Sequence, residues 1–231
     1  MKRVALFILL LFIVSIAGAQ PRFQAGLGLT LGAPQTEFKD NVDNLGGGLT
    51  GYFGYNIPNS PFIIGGNLGF LIYGSESRKV PFSDYVQEVT VDVNTTNSIF
   101  NGLLLFRVQP QQGAIRPYLD ALLGFNYLFT STDIQDERTN ESIAGSTNQD
   151  DFTSCYGGGG GIMVRVYDGM DNEDHPYEVL IDFGVRYLNG GKAKYLKEGS
   201  IHRDNNGKVS YDLSESTTDL MTYTLGVAFN F

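Results

Sequence analysis

The sequence predicts an all-β chain: an eight-stranded antiparallel transmembrane up-and-down β-barrel behind an export signal. Three observations carry this prediction. The N-terminal apolar run ends in small residues, eight later segments alternate with period two, and the connections between those segments alternate long and short. A strand places residues i, i+2 and i+4 on one face, and lipid requires that face to be apolar.

Lys2 and Arg3 precede an apolar run from Val4 to Ile16, which leads into Ala17, Gly18 and Ala19. A spanning helix needs about 20 apolar residues, so residues 1–19 read as a signal peptide and 20–231 as one barrel domain. No cysteine stands directly after the run, which argues against a lipid anchor, and Cys155 alone cannot form an internal disulfide. Loss of Lys2 and Arg3 takes Lys plus Arg from 16 to 14 against 25 Asp plus Glu, a net charge of -11. Such an acidic chain is a poor partner for nucleic acid. The content of 29 Gly, 13 Tyr and 16 Phe, with no other segment apolar enough to span as a helix, also points to strands.

In the first strand Phe23, Ala25, Leu27, Leu29 and Leu31 form the outward row, opposite Gln24, Gly26, Gly28, Thr30 and Gly32. The second sets Leu49, Phe53, Tyr55 and Ile57 against Thr50, Tyr52 and Asn56. The third sets Phe62, Ile64, Leu68, Phe70 and Ile72 against Gly65, Asn67 and Gly69, with Ile63 and Leu71 blurring the contrast. The fourth turns Phe100, Gly102, Leu104, Phe106 and Val108 outward; Asn101 and Arg107 fix its inner face, while Leu103 and Leu105 fit either. Leu119, Ala121, Leu123, Phe125, Tyr127 and Phe129 form the fifth outer row, against Arg116, Tyr118, Asp120, Gly124 and Asn126. The sixth offers Ile162, Val164 and Val166 against Gly161, Met163 and Arg165. The seventh opposes Tyr177, Val179, Ile181, Phe183, Val185 and Tyr187 to Glu178, Asp182, Gly184 and Arg186. The eighth closes the chain with Met221, Tyr223, Leu225, Val227, Phe229 and Phe231 outward.

Long connections fall at about Pro34–Leu45, Ser75–Asn97, Ser131–Thr153 and Asn189–Asp219, and short ones at Pro58–Pro61, Gln109–Ile115 and Asp168–Pro176. Four long loops and three turns require eight strands, with both termini on the periplasmic side. Val89, Val91 and Val93, and again Val209, Tyr211 and Leu213, keep the two-residue period inside long connections, so strands are expected to continue beyond the membrane there.

The Tyr156-Gly157-Gly158-Gly159-Gly160-Gly161 run, Asp182-Phe183-Gly184-Val185-Arg186-Tyr187 before Gly190-Gly191, and the closing stretch Tyr223–Phe231 carry a family likeness. Over its whole mature length the chain resembles the small porin-like and OmpA-like outer-membrane β-barrels. The resemblance implies a Gram-negative outer membrane with its lipids as surroundings. It also implies that Tyr223, Leu225, Val227, Phe229 and Phe231 form the signal read by the barrel-assembly machinery. It implies no activity, because this group is defined by its barrel, and the peptidoglycan-binding domain of longer OmpA-like proteins is missing here.

Arg22, Arg107, Arg116, Asp120, Arg165, Glu178, Asp182 and Arg186 all fall on inward parity. A charge on the lipid face would cost about 2–4 kcal/mol at the midplane, and an eight-stranded barrel is just wide enough for side chains to fill. The expected result is a polar, ion-paired lumen, with a gated narrow pore as the competing reading. The long connections hold 18 of the 25 acidic residues and every mature lysine. Solvated loops explain that, and a partner- or cation-binding surface is the sharper alternative.

No cofactor, metal site or catalytic residue is expected. The Asp168–Asp174 turn lacks the EF-hand order, and Gly157–Gly161 lacks the Lys-Ser/Thr of a phosphate loop. Cys155 has no histidine near it, and the only histidines are His175 and His202. Ser200 with His202 is the single Ser and His pair close in sequence, which is weak support for hydrolysis. The functional expectation is a filled barrel acting structurally or through its surface loops; the alternative is a narrow channel or an accessory barrel of a transport or secretion system. A soluble ligand-binding barrel of lipocalin type would invert the parity, with apolar residues inside.

Overall fold

The computed structural model describes residues 22–83, 86–136, 142–170, 177–203 and 209–231. The expected signal peptide lies outside the described residues. Eight strands close into a ring: β1 (Phe23–Pro34), β2 (Gly46–Asn56), β3 (Phe62–Ser83), β4 (Val86–Val108), β5 (Ile115–Asp136), β6 (Ser142–Asp168), β7 (Glu178–Gly190) and the last strand, β12 (Leu220–Asn230). Every neighbouring pair is antiparallel and sequential, and β12 closes onto β1 from Gln24↔Asn230 to Pro34↔Leu220. Phe23 and Phe231 exchange backbone hydrogen bonds of 2.9 and 3.0 Å at the seam. Closure leaves the ring no free edge, the condition a sheet must meet in lipid.

The period-two rows face the predicted way. Leu27, Leu49, Leu68, Leu104, Leu123, Ile162, Phe183 and Leu225 stand exposed on successive strands, far more apolar surface than a water-soluble monomer shows. The residues ambiguous in sequence, Ile63, Leu71, Leu103 and Leu105, all turn inward and are at most 4% exposed. In each strand the parity of one polar neighbour decided the matter, since Asn67, Asn101 and Arg107 share their face. With charges inside and apolar side chains outside, the lipocalin alternative falls. The band is a lipid-facing surface, and the barrel is transmembrane.

The chain's most visible departure from expectation lies where long loops were predicted at Ser75–Asn97 and Ser131–Thr153. β3 pairs with β4 from Gly74↔Asn97 up to Ser83↔Val86, and β5 pairs with β6 from Ser131↔Thr147 up to Gln135↔Ser142. The expected continuation at Val91 and Val93 is therefore real, and it reaches much further. β3, β4, β5 and β6 have 22, 23, 22 and 27 residues, against 12, 11, 13 and 11 in β1, β2, β7 and β12. One half of the barrel thus rises beyond the apolar belt as a four-stranded sheet, in which Thr, Ser, Asn and Asp largely replace Leu and Phe while Val91 and Val93 stay buried.

The last long connection forms two small hairpins, β8 (Lys192–Tyr195) with β11 (Ser214–Thr217) and β9 (Ile201–Arg203) with β10 (Val209–Tyr211). Val209 and Tyr211 fall in a strand as expected, and Leu213 falls after it. The first connection carries a short helix, α1 (Thr36–Asn41), that the period did not announce. Its one apolar residue, Phe38, is fully buried and holds the helix down.

Two apolar clusters fill the interior. The lower includes Tyr52, Leu103, Leu105, Tyr118, Leu122, Met163 and Leu180; the upper joins Phe38 to Tyr73, Ile99, Leu128, Tyr195 and Leu220. Glycines make room for the large side chains of the lower cluster. A Cβ at Gly26 would meet the Tyr52 ring, and one at Gly161 or Gly184 would meet the Tyr118 hydroxyl. Both tyrosines can therefore lie across the lumen.

Candidate functional site

Charged side chains meet in the lumen in two tiers. In the middle tier Arg107 on β4 faces Asp120, its register partner on β5. The contact is bidentate, with Nε to Oδ1 at 2.7 Å and Nη2 to Oδ2 at 3.0 Å. Arg186 on β7 donates to the same carboxylate from Nε at 3.1 Å and Nη2 at 2.9 Å. Arg186 lies two strands from Asp120, with Gly159 of β6 between them in register. A Cβ there would strike the backbone and Cγ of Arg186. The glycine run therefore has a concrete role, which is to let a guanidinium cross β6.

Arg107 is also clamped between rings, its Cζ 4.6 Å from the Tyr52 centroid and 3.9 Å from the Tyr118 centroid. Gln24 Oε1 accepts from Arg107 Nη1 and from the Tyr52 hydroxyl, each at 3.2 Å. The Tyr118 hydroxyl donates to Asp182 at 2.8 Å. One carboxylate, Asp120, is shared by two guanidiniums and so paired and hydrogen-bonded, while the second, Asp182, takes a hydrogen bond from a phenol.

The lower tier lies at the end that carries the short turns. Glu178 Oε1 accepts from Arg116 at 2.7 Å and Arg165 at 2.9 Å, and its Oε2 accepts from Asn230 at 2.9 Å. Arg165 also reaches Asp168 at 2.6 Å. Gln24 donates to Asn230 at 2.8 Å and so joins the two tiers.

Arg22 is the exception and a correction to the sequence reading. It is exposed and lies in the bend before β1, outside the network. Parity has meaning only within the ladder, and the ladder starts at Phe23.

Sequence reasoning missed the second obstruction, above the charges. Phe38 packs edge-on against Tyr73 at 5.5 Å and Tyr195 at 5.1 Å, with Leu196 fully buried beside them. The Tyr73 hydroxyl donates to Leu196 O at 3.2 Å, and the Tyr195 hydroxyl lies 2.8 Å from Ser216 Oγ. Burial raises the Tyr195 phenol above its usual range, so it remains a neutral hydrogen-bonding group. The one signal available beforehand was a lone phenylalanine in the polar stretch Thr36–Asn41.

Two small cavities lie between these layers. One of about 10 Å³ lies between Tyr52, Tyr118, Asp182 and Arg186, and another of about 20 Å³ lies by Asn67, Asn101 and Thr222. Each has room for about one water.

The remaining candidates separate. Ser200 is buried and accepts the Lys197 amide at 3.3 Å, while exposed His202 faces Asp212 at 2.8 Å, so the pair is split. Cys155 is fully buried in the lower apolar cluster. Residues 171–176, with most of the acidic turn and His175, lie outside the described residues. Among the described residues no group of three His, Cys, Asp or Glu side chains could hold a metal ion.

Comparison with solved structures returns small barrels. The chain is similar to Neisserial surface protein A at 13% identity, covering 90% of this chain and 97% of that one with a TM-score of 0.43. It is similar to Ail, the attachment invasion locus protein of Yersinia pestis, at 13% identity, covering 92% and 99% with a TM-score of 0.43. A major outer membrane protein from Thermus thermophilus matches at 15% identity, covering 90% and 99% with a TM-score of 0.39. No protein-family model and no curated protein sequence matches the chain. The ring topology and the outward apolar belt of this structure define its class: it is an eight-stranded transmembrane barrel of the small outer-membrane type.

Proposed function

We propose that the chain is an integral protein of a Gram-negative outer membrane, with its termini and short turns in the periplasm. The barrel is a closed anchor, and the working part is the folded region outside the membrane. The observation that carries this reading is the four-stranded rise of β3–β6 beyond the belt, held over a lumen filled by paired charges and capped by aromatic side chains. A conduit has no use for two successive closures, whereas a display scaffold gains rigidity from both. The long connections carry 18 acidic and 9 basic residues, so the displayed surface is acidic and suits basic partners.

Two measurements test the proposal. Refolded protein in planar bilayers should give no unitary current steps. Cells carrying a chain with residues 75–96 and 132–152 replaced by short turns should keep the barrel and lose any surface-binding phenotype of the intact chain. Retention of that phenotype would overturn the proposal. The competing reading, a narrow channel, requires Arg107, Asp120 and Arg186 to separate, and their shared burial opposes this.

A further inference from the structure

A cavity of about 130 Å³ opens at the outer mouth, several times the size of the two inside the lumen. Three separate stretches of chain converge on it: the first connection just after α1, the base of the β3–β4 rise, and the last connection at Lys197 and Glu198.

Its floor is made by a bulge. Ile72 pairs with Ser98 and Gly74 with Asn97, so Tyr73 is the extra residue of β3. Tyr73 and Gly74 are both buried, where a regular strand would have sent one of them to the other face. Gly74 keeps the space open, since a Cβ there would stand 2.9 Å from Asn97 Nδ2 and 3.4 Å from Glu198 Cγ. Asn97 is 1% exposed, and Thr130 Oγ1 donates to its Oδ1 at 2.7 Å, which leaves the Nδ2 amide on the Gly74 side. Glu198 is held at the opening, its Oε1 accepting from Ser75 N at 3.0 Å and its Oε2 from Asn44 Nδ2 at 3.2 Å. Asp43 and Lys197, both exposed, complete the rim.

We infer that this cavity is a binding site for a small zwitterion of the α-amino-acid class, with a side chain about the size of that of alanine or serine. The site goes beyond the display reading and does not rest on it. The lining selects the class. Two carboxylates and one ammonium border a single space, so a lone anion meets Asp43 and Glu198, and a lone cation meets Lys197. A zwitterion satisfies both signs, its ammonium toward Asp43 and Glu198 and its carboxylate toward Lys197 and the Asn97 amide. A sugar ring fits less well. Tyr73 is 2% exposed and packs edge-to-face with Phe38 and Tyr195, so it offers a pyranose no open aromatic face. An occupant would touch the first and last connections at once and so brace the aromatic cap.

The test uses the mature chain in phosphatidylcholine nanodiscs, with NMR of the Gly74 backbone amide and the Asn97 side-chain amide. L-Alanine should shift both signals saturably at millimolar concentration. Propionate, ethylamine, calcium chloride and methyl glucoside should each bind at least about tenfold more weakly, because each lacks one of the two charges or both. Gly74→Ala, which fills the floor, should abolish the Asn97 shift. Lys197→Met and Asp43→Asn change exposed side chains and should keep the gel shift of the folded barrel, while each weakens L-alanine binding by about tenfold, the loss expected for one charge-assisted hydrogen bond. These two variants decide the matter if Gly74→Ala does not fold. No saturable shift with L-alanine would overturn the site. Equal binding of any of the four control compounds would overturn the zwitterion class, and unchanged affinity in both rim variants would overturn the assigned contacts.

Discussion

Asp120 is the position where the filled lumen can be tested most sharply. Its carboxylate takes four hydrogen bonds from Arg107 and Arg186, and the side chains of the inner pair are 0% exposed. Asp120→Asn keeps the shape but leaves two buried guanidiniums against a neutral amide. Breaking a buried pair on one side costs about 3–5 kcal/mol. With a urea slope of about 2 kcal/mol per molar, the unfolding midpoint should fall by about 1.5–2.5 M. The chain contains no tryptophan, so unfolding in lipid vesicles is followed by far-ultraviolet circular dichroism and by the gel shift between folded and unfolded barrel. Replacing Arg107 and Arg186 by Met together with Asp120→Leu should recover most of the loss, since an apolar core can match a buried ion cluster. A loss below about 1 kcal/mol for Asp120→Asn would refute the reasoning, because it would mean that water already screens the cluster.

Other outcomes follow from the same packing. Gly159→Val should prevent assembly, because its Cβ meets the Arg186 backbone, whereas Gly47→Ala should be neutral, with nothing near its Cβ; the yield of heat-modifiable barrel separates them. Phe38→Ala should cost about 3–5 kcal/mol of local packing and make the first and last long connections sensitive to protease, without opening a current, since the charge tiers remain. Leu225→Arg, on the lipid face, should cost about 2–4 kcal/mol if it lies near the midplane, while Arg22→Ala should change stability by less than about 0.5 kcal/mol, as an exposed side chain outside the network. Phe231→Ala should slow assembly in cells more than it lowers stability in vesicles, if the closing row Tyr223, Leu225, Val227, Phe229 and Phe231 is the assembly signal.

Legibility in the sequence followed the physics of each region. Where lipid enforces alternation, parity could be read almost residue by residue, and Arg107, Arg116, Asp120, Arg165, Glu178, Asp182 and Arg186 lie in the lumen for that reason. Who pairs with whom was not legible, because it depends on register. Gly159 makes sense only once Asp120 and Arg186 are seen on either side of it. Beyond the belt the enforcing solvent is gone and polar residues fit strand or loop equally, so the Ser131–Thr153 hairpin read as a loop, while Val89, Val91 and Val93 announced only part of the Ser75–Asn97 one. The cap was hidden for a related reason: Phe38, Tyr73 and Tyr195 lie far apart in the chain and meet only when the last connection folds back across the barrel mouth.

The central claim is that this barrel is closed, and single-channel recording on the refolded mature chain in planar bilayers tests it most directly. The account predicts a silent membrane for the wild type and for Phe38→Ala alike, because either closure suffices. Steady unitary steps from the wild-type protein that change in size with Asp182→Asn or Arg165→Ala would contradict it and make the lumen a gated path.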